Sequence, residues 1–342
     1  MNDDEVSATA PAGAGADPPL VVIGASSGGV DALLRLAAAL PANLPAMVAA
    51  VVHIGTQPSI LPELLRRAGP LPARHPRDGE RLHAGTLYVA PPDHHLVLDK
   101  AVAHLSRGPR ENHTRPAIDP LFRSAALGWR SRVIGVVLTG QLDDGTAGLA
   151  AIKSCGGVAI VQDPADCVAP SMPLSALANV EVDHCLPLDA IAPLLVRLVG
   201  LPPRGGTGEP PEMLRHEQAV FNGVDPMENL AALGEPSQLT CPECGGTLTE
   251  VRESRPLRYR CHTGHAYTAL TLHDAQAARA NHSLQSSLRA LKEREFLLRR
   301  LAMVSEKLGD LAAAQAGRQQ ADRVHEQAAH LAKLMQEETS GA

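Results

Sequence analysis

With 342 residues, 44% of them hydrophobic and 20% charged, the chain has a globular composition and is too long for one ordinary domain. Only 2% of residues are aromatic, so Ala, Leu and Val must fill the core, and a net charge of −6 gives no support for nucleic acid or an anionic membrane surface as partner. No stretch is apolar for the length of a bilayer crossing, and the acidic start Asp3-Asp4-Glu5 lacks the basic and apolar regions of a signal peptide; a cytoplasmic protein without membrane insertion is expected.

Residues 1–19 are Ala, Gly, Pro and acid without periodicity and read as a disordered tail. From 20 to 200, strand-like and helix-like stretches alternate. Leu20–Ala25 is a β-branched run closed by glycines, the pattern of a strand buried on both faces, and a helix follows to about Leu40. Ala46–His53 is a second strand and Ser59–Arg67 a short helix. Thr86–Ala90, His95–Leu98 and Val102–Leu105 are short runs separated by turn residues, which predicts a small antiparallel hairpin insert. Ile118–Leu127 reads as helix, Arg132–Thr139 as strand, Thr146–Ser154 as helix, Val158–Gln162 as strand and Leu188–Val199 as a final helix. Such alternation predicts an α/β fold, a doubly wound and mostly parallel sheet covered on both faces. Residues 201–235, with Pro202-Pro203, Gly205-Gly206 and Pro210-Pro211, read as a linker. Residues 236–270 hold a cysteine cluster, and 271–342 are rich in Ala, Leu, Arg, Glu and Gln. Leu284, Leu288, Leu291, Leu298 and Leu301 mark one apolar face there, and Val324, Ala328, Leu331 and Met335 another, predicting a C-terminal helical hairpin.

In a parallel sheet, sites form outside the carboxyl ends of the strands. Ser26 follows the first strand, His53 closes the second, and Asp144 follows the strand that ends Leu138-Thr139-Gly140. Gly24-Ala25-Ser26-Ser27-Gly28 fits the G-x-S-x-G nucleophile turn, which needs small neighbours around an exposed serine, a base for its proton and a carboxylate to orient that base. Taken alone, Ser26 and Ser27 fit helix capping equally well. The order Ser–His–Asp is not that of the α/β-hydrolases. A dinucleotide turn is excluded on three counts: Val30 stands where short-chain dehydrogenases have a further glycine, none of Tyr88, Tyr259 and Tyr267 has lysine four residues on, and His53 replaces an acidic residue at the second strand end.

Several segments, in order, resemble the catalytic domain of CheB, the chemoreceptor protein-glutamate methylesterase. Ile23-Gly24-Ala25-Ser26-Ser27-Gly28-Gly29 is similar to that family's Ile-Gly-Ala-Ser-Thr-Gly-Gly. Val52-His53, Asp78-Gly79-Glu80, Tyr88-Val89-Ala90-Pro91-Pro92-Asp93-His94-His95 and Arg115-Pro116-Ala117-Ile118-Asp119-Pro120-Leu121-Phe122 continue the resemblance. So do Leu138-Thr139-Gly140-Gln141-Leu142-Asp143-Asp144-Gly145, Gln162-Asp163-Pro164, Cys167 and Met172-Pro173. The resemblance implies hydrolysis of glutamyl γ-methyl esters with release of methanol, and glutamine deamidation as in relatives. Ser26 would be nucleophile, His53 base and Asp144 the orienting carboxylate, without a catalytic cofactor. Ser27, Gly28 and Gln141 are the candidates for binding the oxyanion or substrate. Gln141-Leu142 departs from the family's Met-Gly. A short tail stands where the family usually has an N-terminal response-regulator domain, so phosphorylation control in cis is not expected. The implied partner is a methylated chemoreceptor or receptor-like protein; chemosensory pathway proteins are candidates for the C-terminal helices. The rival expectation is a non-catalytic signalling scaffold that keeps the fold.

Cys241-Pro242-Glu243-Cys244 and Cys261-His262-Thr263-Gly264-His265 form C-x2-C and C-x3-H knuckles at zinc-ribbon spacing. Cys241, Cys244, Cys261 and His265 are the predicted ligands of a structural Zn2+, with His262 as the competing imidazole. Thr247–Val251 and Leu257–Tyr259 would form the ribbon hairpin. Cys155, Cys167 and Cys185 read as reduced thiols.

Overall fold

The computed structural model describes residues 18–202 and 209–340; most of the expected N-terminal tail, and Pro203 and Gly205-Gly206 of the expected linker, lie outside the described residues. In chain order the first part comprises β1 (Leu20–Ala25), α1 (Gly29–Ala39), β2 (Met47–Val52), α2 (Leu61–Ala68), β3 (Ala73–Arg74), β4 (Glu80–Arg81), β5 (Leu87–Val89), β6 (His95–Asp99) and β7 (Val102–Ser106). Then come α3 (Ile118–Trp129), β8 (Val133–Val137), α4 (Thr146–Ser154), β9 (Val158–Gln162), α5 (Ser171–Asn179), β10 (His184–Leu186) and α6 (Leu188–Val199). The remainder comprises α7 (Glu212–Phe221), α8 (Pro226–Leu233), β11 (Gly234–Thr240), β12 (Thr247–Val251), β13 (Arg258–Cys261), β14 (Ala266–Thr268), α9 (Ala269–Lys307) and α10 (Leu311–Ser340).

The central sheet has the order β10-β9-β8-β1-β2-β5-β3, and all its pairings are parallel. From β1 the strands are added outward to one side and from β8 to the other, so the topological switch point falls between β1 and β8. Side chains alternate along each strand. Val21, Ile23, Val48 and Ala50 pack with Leu33, Leu36 and Leu195 on one face; Leu20, Val22, Met47 and Ala49 pack with Phe122, Trp129, Leu149 and Met172 on the other. Burial on both faces explains why these strands read as unbroken apolar runs.

Two expectations need correction. Leu87–Val89 is not part of an antiparallel insert: β5 joins the parallel sheet between β2 and β3, because all three of its residues are buried. The insert is instead a three-stranded sheet in which β7 pairs antiparallel with both β4 and β6. The stretch read as a linker contains α7 and α8, whose Leu214, Val220, Phe221, Leu230 and Leu233 are buried. Helix α5 and strand β10 were also absent from the sequence reading.

After α8, β11–β14 form a four-stranded antiparallel sheet that carries the cysteine cluster. This sheet belongs to the same compact unit as the α/β region, which extends to Leu272. Four buried charges and the half-buried Arg258 join them. Glu111 pairs with Arg123 at 2.7 Å and with Arg260 of β13 at 2.9 Å. Glu217 of α7 accepts from Arg258 at 2.6 Å, Arg260 at 2.9 Å and Arg123 at 3.4 Å. Burial opposes ionisation of Glu217, but the three guanidiniums outweigh it and hold its carboxyl far below the usual range.

Residues 273–342 form a second unit. Within it α9 from His273 onward and α10 are joined through a turn at Gly309, whose φ is 81°, and pair through Arg299–Asp322 at 3.1 Å and His325–Glu295 at 3.1 Å; the first turn of α9, to Leu272, belongs to the first unit. No helix among the described residues is long and apolar enough to cross a membrane.

Candidate active site

The β1–α1 turn presents Ser26 at the carboxyl end of the central strand. Its N–H donates to Thr139 O at 3.0 Å, and its carbonyl accepts from Gly29 N at 2.7 Å. The turn needs a left-handed residue at Gly28, where φ is 76°. Thr139 clamps the turn from the neighbouring strand end: its Oγ1 donates to Ser27 O at 2.9 Å, and its own N–H is held by Gln162 Oε1 at 3.0 Å. Close approach is also enforced at Gly140, where a Cβ would lie 2.0 Å from Met172 Sδ and 2.9 Å from Ser26 Cβ.

His53 leaves the end of β2 and faces two partners. Its Nδ1 lies 3.1 Å from Ser26 Oγ, and its Nε2 lies 2.9 Å from Asp144 Oδ2. An ionised carboxylate only accepts, so His53 carries its proton on Nε2 and offers the Nδ1 lone pair to the serine hydroxyl. The ring is thus turned relative to the serine-protease template, in which Nε2 faces the serine. Ser26 and His53 are partly exposed while Asp144 is buried.

Asp144 is held on every side. Besides His53, Oδ2 accepts from Ile118 N at 2.7 Å, and Oδ1 accepts from Asn112 Nδ2 at 2.9 Å, Gly145 N at 3.0 Å and Asp119 N at 3.3 Å. Two of these donors open α3, where N–H groups lack partners one turn back. Burial alone would push Asp144 up; the hydrogen bond from His53, then those from Ile118 N and Asn112, bring it below its ordinary value. Asp119, buried beside Asp144, is pushed up instead by burial and by that neighbouring charge. Two close carboxylates thus divide the roles, one anionic and one inclined to hold its proton.

The three strand-end residues singled out in the sequence therefore meet at the switch point between β1 and β8. Ser27 and Gly28 lie in the turn beside Ser26, where N–H groups precede the first full turn of α1. Gln141 is exposed in the loop following Gly140.

Residues 21–195 match the family model of CheB methylesterase. The chain belongs to that family. A relative from Leptospira interrogans is 38% identical over 184 residues, which cover 52% of this chain and 93% of the relative. The protein-glutamate methylesterase/protein-glutamine glutaminase 4 of Anaeromyxobacter dehalogenans is 39% identical over 185 residues, covering 53% of this chain and 52% of that protein. The crystal structure of the Thermotoga maritima CheB methylesterase catalytic domain aligns with a TM-score of 0.51 at 33% identity. It covers 54% of this chain and all of that domain. Helices α7 and α8, the cysteine-bearing sheet and α9–α10 lie beyond the residues matched to the CheB family model.

Some members of the site were missed in the sequence. Asn112 and Thr114 sit in an unpatterned polar turn, yet Asn112 bonds Asp144 and Thr114 Oγ1 lies 3.4 Å from His53 Nε2. Thr139, Gln162 and Asp93 were seen only as parts of matching segments. Asp93 accepts from Arg115 at 2.6 and 2.9 Å, which ties the loop preceding α3 to the β5–β6 connection. His95, also in such a segment, is buried, donates from Nε2 to Pro109 O at 3.0 Å and accepts at Nδ1 from Ala117 N at 3.2 Å. Burial lowers its pKa to about 4, keeping it neutral.

Far along the chain, Cys241, Cys244, Cys261 and His265 bring one ligand atom each to within 4.8 Å of one another. Cys244 Sγ and Cys261 Sγ are 3.7 Å apart, and Cys261 Sγ lies 3.5 Å from His265 Nδ1. Tetrahedral zinc with bonds of about 2.1–2.3 Å separates its ligands by about 3.6–3.8 Å, so the donor set fits such an ion. The imidazole in the cluster is that of His265. The hydrogen bond from Cys261 holds Cys241 well below the ordinary thiol range, and the hydrogen bond with Cys241 raises His265.

Proposed function

We propose that the chain hydrolyses glutamyl γ-methyl esters on chemoreceptor-type signalling proteins in the cytoplasm, and deamidates glutamine side chains at equivalent positions. The supporting observation is the single imidazole placed between Ser26 Oγ and the buried, anionic Asp144. Ser26 Oγ attacks the ester carbonyl as its proton passes to His53 Nδ1. Asp144 stabilises the imidazolium through Nε2–H. Collapse of the tetrahedral intermediate expels methoxide, which takes the proton from Nδ1 and leaves as methanol. Water then attacks the acyl-enzyme, His53 again receives the proton, and the receptor's glutamyl side chain leaves with a free γ-carboxyl group as the proton returns to Ser26. With a glutamine substrate, ammonia takes the place of methanol.

The N–H groups of Ser27 and Gly28, with Gln141 at the rim, are the proposed donors to the oxyanion; one such donor is typically worth about 2.7–4 kcal/mol in the transition state. Cys241, Cys244, Cys261 and His265 would hold a structural zinc ion, which stabilises the ribbon and takes no part in hydrolysis. The α9–α10 unit is proposed as a contact for chemosensory partners. The experiment is methanol release from a methyl-labelled chemoreceptor fragment: wild type releases label and Ser26→Ala does not. Release by Ser26→Ala at the wild-type rate removes the assignment.

A further inference from the structure

We propose that Asn112 is a positioning residue for the Ser26–His53–Asp144 site and that segment 234–272, beyond the family match, holds its amide in the working orientation. This rests on the reading of Asp144 as the orienting carboxylate.

Asn112 is 5% exposed. Its Nδ2 donates to Asp144 Oδ1 and to Asp119 Oδ2, both at 2.9 Å. Its Oδ1 accepts from Thr271 Oγ1 at 3.2 Å and from Thr268 N at 3.3 Å. A backbone N–H can only donate, so the amide atom facing Thr268 must be the oxygen. That choice turns the NH2 toward the two carboxylates and supplies one hydrogen to each. The reversed amide would set its oxygen against Asp144.

The donors on the far side are themselves fixed. Thr268 and Thr271 form a reciprocal cap at the start of α9. Thr268 Oγ1 accepts from Thr271 N at 3.1 Å, and Thr271 Oγ1 accepts from Thr268 N at 2.9 Å. Thr268 Oγ1 also donates to Asp143 Oδ1 at 2.8 Å, beside the orienting carboxylate itself. The turn that carries Asn112 is fastened to the same segment. Asn112 N donates to Ala266 O at 2.9 Å, His113 Nε2 donates to Thr271 O at 2.6 Å, and Glu111 is locked to Arg260. These bonds hold Asn112 and His113 at φ of 50° and 65°, a region costly for residues with a Cβ. The chain therefore surrounds its own Asp144 with a second layer drawn from β14 and the first turn of α9.

The test uses the full-length protein and a methyl-labelled chemoreceptor fragment, with kcat, KM and the pH dependence of kcat/KM measured for wild type, Asn112→Leu, Thr271→Val, Thr271→Ser and Ser26→Ala. Urea midpoints report folding of each. Asn112→Leu and Thr271→Val are expected to lower kcat about ten- to a hundredfold, by analogy with the loss of a hydrogen-bond partner behind a metal ligand, with KM within twofold. The acid limb of Asn112→Leu moves to higher pH, because Asp144 loses a donor to its anion, and that of Thr271→Val moves the same way, because only the Thr268 N–H is left to hold the amide NH2 toward Asp144. Thr271→Ser keeps the hydroxyl and restores the wild-type rate and profile. Should Asn112→Leu not fold, Thr271→Val decides. Wild-type kcat and pH profile in the folded variants, with Ser26→Ala inactive, overturns the role of Asn112 and leaves the triad standing. Full activity in Ser26→Ala overturns the triad reading and this inference with it.

Discussion

Glu217 offers a sharp test of how the C-terminal sheet is joined to the α/β region. Its carboxylate is 6% exposed and accepts from Arg258, Arg260 and Arg123, while Glu111 is the other carboxylate paired with Arg123 and Arg260. Glu217→Gln keeps the shape, removes the charge and turns an NH2 toward guanidinium donors. Removing one partner of a buried ion pair costs about 3–5 kcal/mol, a large part of the about 5–15 kcal/mol that folded chains possess. At an m-value of about 2–3 kcal/mol/M the urea midpoint falls by about 1–2.5 M. The sign with pH follows from the depressed carboxyl. A folded-state pKa below the unfolded value of about 4.5 stabilises above that pH and loses its contribution as pH falls toward the folded value. The gap between wild type and variant is therefore widest near neutrality and narrows on acidification. Equal midpoints at pH 7, or a gap that stays constant into acid, would refute the assigned role of this cluster.

His95 titrates with a similar sign. Its pKa falls from 6.5 to about 4 through burial, so its neutral form contributes stability above pH 6.5 that is lost as pH drops toward 4, on the order of 3 kcal/mol in all. His95→Gln should flatten urea midpoints between those values; an unaltered slope counts against the buried neutral ring. Gly140→Ala should push on Met172 and Ser26 together and lower kcat at least tenfold, since misplacement by about 1 Å can cost 10²-fold; a wild-type kcat would show that the contact is not tight. The purified chain should carry one zinc per molecule by elemental analysis, and Cys244→Ser should lose most of it; zinc-free wild type removes the metal proposal.

How much of this was legible in the sequence depended on the range of the interactions. The runs Leu20–Ala25, Met47–Val52 and Val133–Val137 are buried on both faces, so their composition alone marked them as parallel strands. Ser26 and His53, immediately after the first two, and Asp144, in the loop after the third, then fell at one edge of the sheet by topology. Strand β5 was misplaced because a three-residue strand carries no record of which neighbour it pairs with. Helices α7 and α8 were hidden by the surrounding Pro and Gly, although Leu214 and Phe221, seven apart, and Leu230 and Leu233, three apart, keep helical spacing. Glu111, Glu217 and Arg260 look like surface charges, since only the folded chain brings opposite signs together. Asn112 was invisible for the same reason: its partner Thr268 lies 156 residues away.

The most direct measurement of the central claim is mass spectrometry of a methylated chemoreceptor fragment after incubation with wild type or Ser26→Ala. The account predicts that wild type converts glutamyl methyl esters to glutamates, losing one CH2 at each site, and converts glutamines to glutamates, while Ser26→Ala leaves every site intact. Unchanged receptor peptides with wild type, or equal conversion by Ser26→Ala, would contradict it.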